Sequence, residues 1–239
     1  MVTGPHDSWA VHYETVMART YGGLYARLTQ VAKAEIMDRV APPASIVDIG
    51  AGCGRMSLPL AAEGYRVTAI EPSGPMISEL RQRAEDLEVE SLQVSIQDFE
   101  PTRSYSFALC VFTVLAYIVD EETLGAALAA VAGALEPGGL FLLDVPDAAV
   151  FQGFDHETDD IIRTVVIDPT VDGLYTFREH TAILTDMGPV TFQDEFVLRR
   201  WDRAEILRGL YEVGFETEAD VTARFSGLGA EYLLMRRTS

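Results

Sequence analysis

This chain of 239 residues has few cysteines and few basic residues. Its two cysteines, Cys53 and Cys110, cannot build a disulfide framework or a metal cage, so we expect no metal site. The 18 Lys and Arg residues stand against 37 Asp and Glu residues, which gives a net charge of −19. A surface this acidic repels phosphate backbones, and we expect no nucleic-acid partner.

Long apolar runs are also missing. The longest one, residues 107–119, is interrupted by Thr113 and is shorter than the ~20 residues that a membrane span needs. The first eight residues include Pro5, His6 and Asp7 and no apolar run, which is unlike a signal peptide. Because 48% of the residues are hydrophobic, the chain can nevertheless bury a core. We therefore expect a soluble, cytoplasmic protein without a membrane partner.

Strand and helix patterns alternate through the first two thirds of the sequence. Two helices are predicted within residues 9–40, joined near Gly22-Gly23. Short apolar runs then predict five strands with helices between them, at 45–49, 65–70, 92–96, 107–112 and 140–145. Such alternation favours parallel pairing with right-handed crossovers, and so a doubly wound α/β sheet.

The pattern changes after Pro146. Residues 161–168, 174–184 and 190–200 are β-rich and separated by turn sequences, which predicts three antiparallel strands. A helix from Asp202 to about Val213 and two last strands, near 215–221 and 231–236, then complete a seven-stranded, mostly parallel sheet. We expect one domain over residues 1–239, whose four parts are a helical lid (1–40), a core (41–146), an antiparallel β flap (147–200) and the last helix and strands (201–239).

A glycine-rich loop, Asp48-Ile49-Gly50-Ala51-Gly52-Cys53-Gly54-Arg55, joins the first predicted strand of the sheet to a helix. Glycines there permit a tight turn and let a ligand approach the backbone N–H groups of the helix N-terminus. Glu71 ends the next strand, where a carboxylate can accept hydrogen bonds from both hydroxyls of a ribose. The two features together predict a ligand that contains a nucleoside.

The spacing of these glycines differs from the dinucleotide fingerprint, because Arg55 stands at the third glycine position. The loop resembles the first motif of the class I S-adenosylmethionine (SAM)-dependent methyltransferases, and three further segments resemble later motifs of that family: 69–73 with Met76, 95–99 and 135–139. The resemblance covers about residues 45–145. It implies a Rossmann-like methyltransferase fold, SAM as the cofactor and S-adenosylhomocysteine (SAH) as its product.

The resemblance also assigns roles to residues on the methionine and ribose sides of the cofactor. Gly50, Gly52 and Gly54 match the glycines that contact the methionine part, and Glu71 matches the ribose ligand. The predicted cofactor set is completed by Asp48, Pro72, Met76, Asp98, Phe99 and Phe112.

Adenine recognition is assigned by the same resemblance. Asp98 matches the group that binds the adenine amino group, and Met76 and Phe99 match the residues on either side of the ring. The residues themselves leave alternatives open, since Asp98 can cap a turn before Pro101 and the two apolar residues can belong to the core. The fourth strand opens without the Asp that many family members carry there.

Substrate residues are expected where the fourth and fifth strands end, because ligands bind at the carboxyl ends of the strands in open α/β sheets. Thr113 and Tyr117 leave the fourth strand, and Tyr13 resembles a lid tyrosine of small-molecule methyltransferases. These three are the predicted substrate contacts. Tyr21, Tyr117 and His156 are the candidates for catalysis, with ordinary packing or a structural histidine as the alternative.

These features predict SAM-dependent methyl transfer to a small-molecule acceptor. We expect nitrogen or oxygen as the acceptor atom rather than carbon. No side-chain pair in the sequence points to a base for an oxygen acceptor, which slightly favours nitrogen or an already acidic acceptor. The layout also resembles the amino-sugar N-methyltransferases of antibiotic pathways. A catalytically silent SAM-binding or scaffold protein is the alternative, followed by an NAD-dependent oxidoreductase. We expect a monomer or a homodimer.

Overall fold

The computed structural model describes residues 4–238, which contain six α-helices and eleven strands. The helices are α1 (Ala10–Tyr21), α2 (Gly23–Met37), α3 (Ser57–Ala62), α4 (Gly74–Ala84), α5 (Glu121–Ala134) and α6 (Arg203–Glu212). The strands of the main sheet are β1 (Ser45–Ile49), β2 (Arg66–Ile70), β3 (Val89–Leu92), β4 (Tyr105–Cys110), β5 (Leu135–Pro146), β10 (Phe215–Asp220) and β11 (Ala230–Arg237). The remaining strands are β6 (Phe154–Glu157), β7 (Ile161–Pro169), β8 (Leu174–Thr185) and β9 (Gly188–Arg199). Within the described range, no helix combines the length and the hydropathy needed to cross a membrane.

The main sheet has the strand order β10-β11-β5-β4-β1-β2-β3. The strands from β1 to β5 pair in parallel, whereas β11 runs antiparallel to β5 and to β10. The central strands are buried on both faces because helices cover both sides, which explains the nearly continuous apolar runs in the sequence. The predicted fold class, a seven-stranded and mostly parallel α/β sheet, is confirmed.

A second sheet, β6-β7-β8-β9, is antiparallel throughout and lies in the chain between β5 and α6. The sequence predicted three strands here, which was one too few. The additional strand β6, Phe154–Glu157, is mostly polar and largely exposed, so it lacks the apolar alternation that marks a half-buried strand. The catalytic candidate His156 lies on β6 opposite Arg163. The division of the chain into four parts stays a prediction.

The third strand of the main sheet was predicted at residues 92–96 and is found at Val89–Leu92. Only this earlier segment pairs with β2, and residues 96–98 form a single 3-10 turn. The predicted position was wrong because Leu92, Val94 and Ile96 alternate with polar residues, as in a half-buried strand. Leu92 and Val94 pack against the core, and Ile96 is buried within it.

The N-terminal helices lie between the two sheets. They meet at Gly22, whose φ of +51° allows the sharp change of direction. The second helix packs against the main sheet, whereas Trp9, Met17 and Tyr25 form an apolar cluster with Ile161 of β7. The lid therefore contacts both the core and the flap and closes the space between them.

Candidate active site

A cavity of about 770 Å³ opens at the carboxyl ends of β1, β2 and β4, and we call it the first cavity. The glycine loop, the segment after β2, the end of β4 and the start of the lid form its walls. Most of the predicted cofactor residues line it, namely Asp48, Gly50, Gly52, Glu71, Pro72, Met76 and Phe112. The structure thus brings together residues that are up to 64 positions apart, as the doubly wound topology requires at this edge.

The glycine loop is held in a tight turn by the end of β2. The backbone N–H groups of Gly50 and Ala51 both donate to the carbonyl oxygen of Ile70, at 3.0 and 3.1 Å. Gly50 and Gly52 have φ values of +67° and +54°, which favour glycine. Gly54 also has a positive φ, but it packs toward Leu58 and Leu80 rather than lining the first cavity.

Glu71 joins the glycine loop to the start of α4. One carboxylate oxygen accepts the N–H of Gly52 at 3.0 Å, and the other accepts the N–H of Ser73 at 2.9 Å. Burial raises the pKa of Glu71, and these two hydrogen bonds oppose that increase. Because a carboxylate oxygen can accept more than one hydrogen bond, Glu71 keeps acceptor capacity for a ligand in the cavity that it lines.

The residues predicted to recognise adenine are distributed differently. Met76 lines the first cavity, but Asp98 and Phe99 do not. Asp98 is exposed and accepts a hydrogen bond from the Ser95 hydroxyl, and Phe99 is buried in the core beside Tyr105. These contacts fit a turn cap and core packing, the two alternatives that the sequence left open. The adenine roles of Asp98 and Phe99 stay predictions.

A second cavity of about 320 Å³ lies between the lid, the flap and the ends of β4 and β5. It shares four wall residues with the first cavity: His6, Tyr13, Phe112 and Tyr117. The predicted substrate contacts Tyr13, Thr113 and Tyr117 all line it, and so does the catalytic candidate Tyr21. His156 does not line either cavity, because it lies on β6, and its proposed role as a base stays a prediction.

Asp144, near the end of β5, shapes the wall between the cavities. Its carboxylate accepts the backbone N–H groups of Phe112 and Thr113, at 3.1 and 2.9 Å. Both of these residues have positive φ values, +77° and +71°, which are unfavourable for residues other than glycine. The buried carboxylate therefore offsets local backbone strain and fixes Phe112 where it contacts both cavities.

Charged residues at the junction of lid and flap were not singled out from the sequence as site residues. His6 hydrogen-bonds the Tyr117 hydroxyl through Nε2 at 3.0 Å, and its Nδ1 lies 3.6 Å from carboxylate oxygens of both Glu179 and Asp194. Arg163 donates to the other oxygen of Glu179 at 2.8 Å. Of these residues, His6, Glu179 and Arg163 line the second cavity.

Residues 46–139 match a family model described as "Methyltransferase domain". This part of the chain is similar to a methyltransferase domain. The match includes the glycine loop, Glu71, the strands β1 to β4 and the first residues of β5. It confirms the resemblance drawn from the sequence motifs.

Two curated relatives are similar to part of the chain. A cypemycin N-terminal methyltransferase from Streptomyces sp is 30% identical over 108 residues, 45% of this chain and 44% of the relative. A dTDP-3-amino-3,4,6-trideoxy-alpha-D-glucopyranose N,N-dimethyltransferase from Streptomyces venezuelae is 28% identical over 109 residues, 46% of this chain and 45% of the relative. The chain therefore spans less than half the length of each relative in these matches.

A solved structure extends the similarity to nearly the whole fold. An S-adenosylmethionine-dependent methyltransferase from Clostridium acetobutylicum superposes with a TM-score of 0.83 and covers 95% of this chain and 98% of its own. Its sequence identity is 16%, so this similarity shows the fold alone. Both the sheet order and the antiparallel insertion thus belong to a known methyltransferase architecture.

Two buried carboxyl groups, Asp48 and Asp144, give the stability of the chain a distinctive pH dependence. Burial raises the pKa of Asp48 and of Asp144 to about 6, although each accepts hydrogen bonds that lower it. In the unfolded chain an Asp titrates near pH ~3.9. The folded state therefore holds these protons more tightly, and ionising them between about pH 4 and pH 6 lowers the free energy of unfolding.

We expect Asp48→Asn to remove one of these contributions, of roughly 2–3 kcal/mol. Relative to the unsubstituted chain, the variant should gain about half of that amount, roughly 1–1.5 kcal/mol, when the pH is raised from 5 to 8, because the Asp of the unfolded chain is already mostly ionised at pH 5. Urea unfolding at both pH values measures the gain. Asp186→Asn, in an exposed turn, is the control and should show no such difference. An equal effect of Asp48→Asn at both pH values would contradict the expectation.

Proposed function

We propose that this chain transfers a methyl group from SAM to an amine nitrogen of a small-molecule acceptor. The observation that carries the proposal is the pair of adjoining cavities, which share the wall of His6, Tyr13, Phe112 and Tyr117. The first is built on the glycine loop and Glu71, and the second is bounded by the flap. A cofactor in one and an acceptor in the other would meet at this wall.

The residues of the first cavity fit SAM. Gly52 has open space where a Cβ would stand, and Glu71 retains acceptor capacity for ribose hydroxyls. The backbone of the glycine loop, Glu71 and Met76 would hold the cofactor. When bound, SAM supplies an electrophilic methyl group on a positively charged sulfur, which an acceptor nitrogen attacks while the carbon–sulfur bond breaks.

The chain itself contributes position and exclusion of water. Phe112, fixed by Asp144, and Tyr13, held by the lid, separate the two cavities and would set the approach of the acceptor. Proper alignment of two reactants corresponds to effective molarities of roughly 10⁵ M or more, so methyl transfer to a neutral amine needs little further chemistry. One curated relative is named an N,N-dimethyltransferase and the other an N-terminal methyltransferase, and these names support nitrogen as the acceptor atom.

The test of the function is methyl transfer itself. The chain would be incubated with SAM and a panel of small amines and matched alcohols, and products gaining a methyl group would be detected by mass spectrometry together with SAH. We expect methylated amines and no methylated alcohols. SAH binding without turnover on any acceptor would favour the silent SAM-binding or scaffold alternative. We further propose a cytoplasmic monomer or homodimer whose partner is the small acceptor.

Glu71 provides the sharpest test of the cofactor. We expect Glu71→Gln to weaken the binding of both SAM and SAH by about 10- to 100-fold, because a charged acceptor for ribose hydroxyls is replaced by a neutral one. Isothermal titration calorimetry measures the change. Glu216→Gln, on exposed β10 outside both cavities, is the matched control and should bind normally. Unchanged affinity in folded Glu71→Gln, or tighter binding of NAD than of SAM, would contradict the assignment.

A further inference from the structure

We infer that the second cavity binds the ammonium ion of a compact amine with an apolar body, rather than an amine attached to a nucleotide. The inference deepens the proposed function and rests on it for the role of the amine as methyl acceptor. The bound ammonium ion would first give one proton to Glu179 Oε2, the carboxylate oxygen beside it, and the neutral nitrogen would then form the new N–C bond while the C–S bond of SAM breaks, leaving a methylammonium ion and SAH. The inference is based on the charges, the unpartnered atoms and the aromatic walls of this cavity.

The charges at the junction of lid and flap do not balance. Glu179 and Asp194 both face His6 Nδ1, at 3.6 Å each, and among the described residues Arg163 is the one guanidinium that pairs with this group, through Glu179. Two carboxylates against one guanidinium leave one negative charge for the His6 imidazole or a bound cation to compensate. An excess charge in a buried position is unfavourable unless a cation compensates for it.

Glu179 shows where that cation would be bound. Its side chain is 6% exposed and lines the second cavity, and Arg163 occupies only its Oε1 atom. The other oxygen, Oε2, has no hydrogen-bond partner among the described residues, and neither has His6 Nδ1. A buried carboxylate oxygen normally has a donor, so an N–H group of an ammonium ion in the cavity fits this position.

The remainder of the cavity is apolar and aromatic. Phe196 stacks on Phe177 with ring centroids 5.6 Å apart and on Tyr117 with centroids 5.7 Å apart, at interplanar angles of 14° and 26°. Such a row of rings presents apolar surface for the body of a ligand and π faces for a cation. Tyr117, at one end of this row of rings, also lines the first cavity. An ammonium group at this end of the second cavity therefore lies close to the cofactor site.

A nucleotide-linked acceptor does not fit these walls. Two phosphates would require cationic partners, yet Arg163 is the one Lys or Arg among the described residues that line the second cavity, and it already pairs with Glu179. One curated relative is named for a dTDP-linked amino sugar, and this chain lacks a matching phosphate site in the described part of the cavity. A volume of about 320 Å³ also suits a smaller ligand.

The experiment uses the full chain saturated with SAH and measures binding of three probes by calorimetry at pH 8, where alkylamines are protonated. The probes are 2-phenylethylamine, its uncharged analogue 2-phenylethanol, and thymidine diphosphate. We expect the amine to bind about 10-fold or more tightly than the alcohol, and thymidine diphosphate not to compete with it. Glu179→Gln should remove most of the preference for the amine and leave alcohol binding unchanged.

The control variant is Glu195→Gln, which makes the same change on the exposed face of β9 and should bind like the unsubstituted chain. Equal binding of amine and alcohol, or binding of thymidine diphosphate alone, would overturn the inference even if Glu179→Gln did not fold. Binding of SAH is measured first and separately. Its absence would contradict the proposed function, whereas normal SAH binding without amine binding would contradict the ammonium site alone.

Discussion

Gly50→Ala is expected to destabilise the chain by about 2–5 kcal/mol, whereas Gly52→Ala is expected to fold and to lose SAM binding. A Cβ at Gly50 would lie 2.5 and 2.7 Å from the two methyl groups of Val114, and the residue has a φ of +67°. The estimate combines overpacking, about 1–3 kcal/mol, with the left-handed backbone of a non-glycine residue, about 1–2 kcal/mol.

Gly52 provides a matched comparison on the same loop. Its φ is +54°, but a Cβ there meets nothing within 4 Å, so alanine adds only the backbone strain of about 1–2 kcal/mol. The added methyl group would occupy the first cavity, which Gly52 lines, and we expect SAM binding to fall below detection by calorimetry. Urea unfolding separates the two variants.

Val114 provides a test of the cause. If the clash with its methyl groups destabilises Gly50→Ala, then adding Val114→Ala should restore the stability lost to overpacking, about 1–3 kcal/mol. The stability lost by shortening Val114 is measured in the single Val114→Ala variant and subtracted. Equal destabilisation of Gly50→Ala and Gly52→Ala, or no recovery in the double variant, would contradict this explanation.

The parts of the site that could be predicted from sequence are those encoded locally. The glycine loop and Glu71 each end a strand of a parallel sheet, and parallel pairing brings consecutive strand ends to one edge. The alternation of strands and helices along the chain therefore suffices to predict that both lie at the edge of the sheet where the first cavity opens. Asp98 was assigned by resemblance, and its side chain instead meets Ser95, three residues away. Local hydrogen bonds of this kind compete with a ligand and are not visible in a motif.

The second cavity was mostly hidden because it depends on contacts between distant segments. His6 meets Asp194, 188 positions later in the chain, and this contact depends on the lid, the β8–β9 register and the packing of the flap. A one-residue change of register would turn Glu179 outward and His180 inward. In the register that the structure shows, Glu179 is buried and His180 is exposed.

One signal for this cavity was present in the sequence. Arg163 alternates with Ile161 and Val165 along β7, so it lies on the apolar face of the strand, and all three are buried. A charged residue on such a face requires a partner, because an isolated buried charge is strongly unfavourable. The pattern therefore indicates a buried ion pair, but it does not identify Glu179 as the partner.

Breaking that ion pair is the second change with a large expected effect. Arg163 is 2% exposed, donates to Glu179 at 2.8 Å, and lies over the rings of Tyr21 and Phe154 at 5.6 and 5.5 Å. We expect Arg163→Met to lower the free energy of unfolding by about 3–5 kcal/mol, because Glu179 then remains as an uncompensated buried charge. The loss should be measured by urea unfolding.

The control lies on the neighbouring strand of the same sheet. Arg178 is likewise ion-paired, with the carboxylates of Asp168 and Glu195, but its side chain is 50% exposed. We therefore expect Arg178→Met to change the free energy of unfolding by less than about 1 kcal/mol. The double variant Arg163→Met with Glu179→Leu should recover much of the loss, since a buried pair replaced by apolar residues is often neutral. A loss in Arg163→Met no larger than in Arg178→Met would show that the pair is not a buried charge interaction. If the loss is large but the double variant recovers none of it, the contacts of Arg163 with the two rings, rather than with Glu179, hold the flap to the lid.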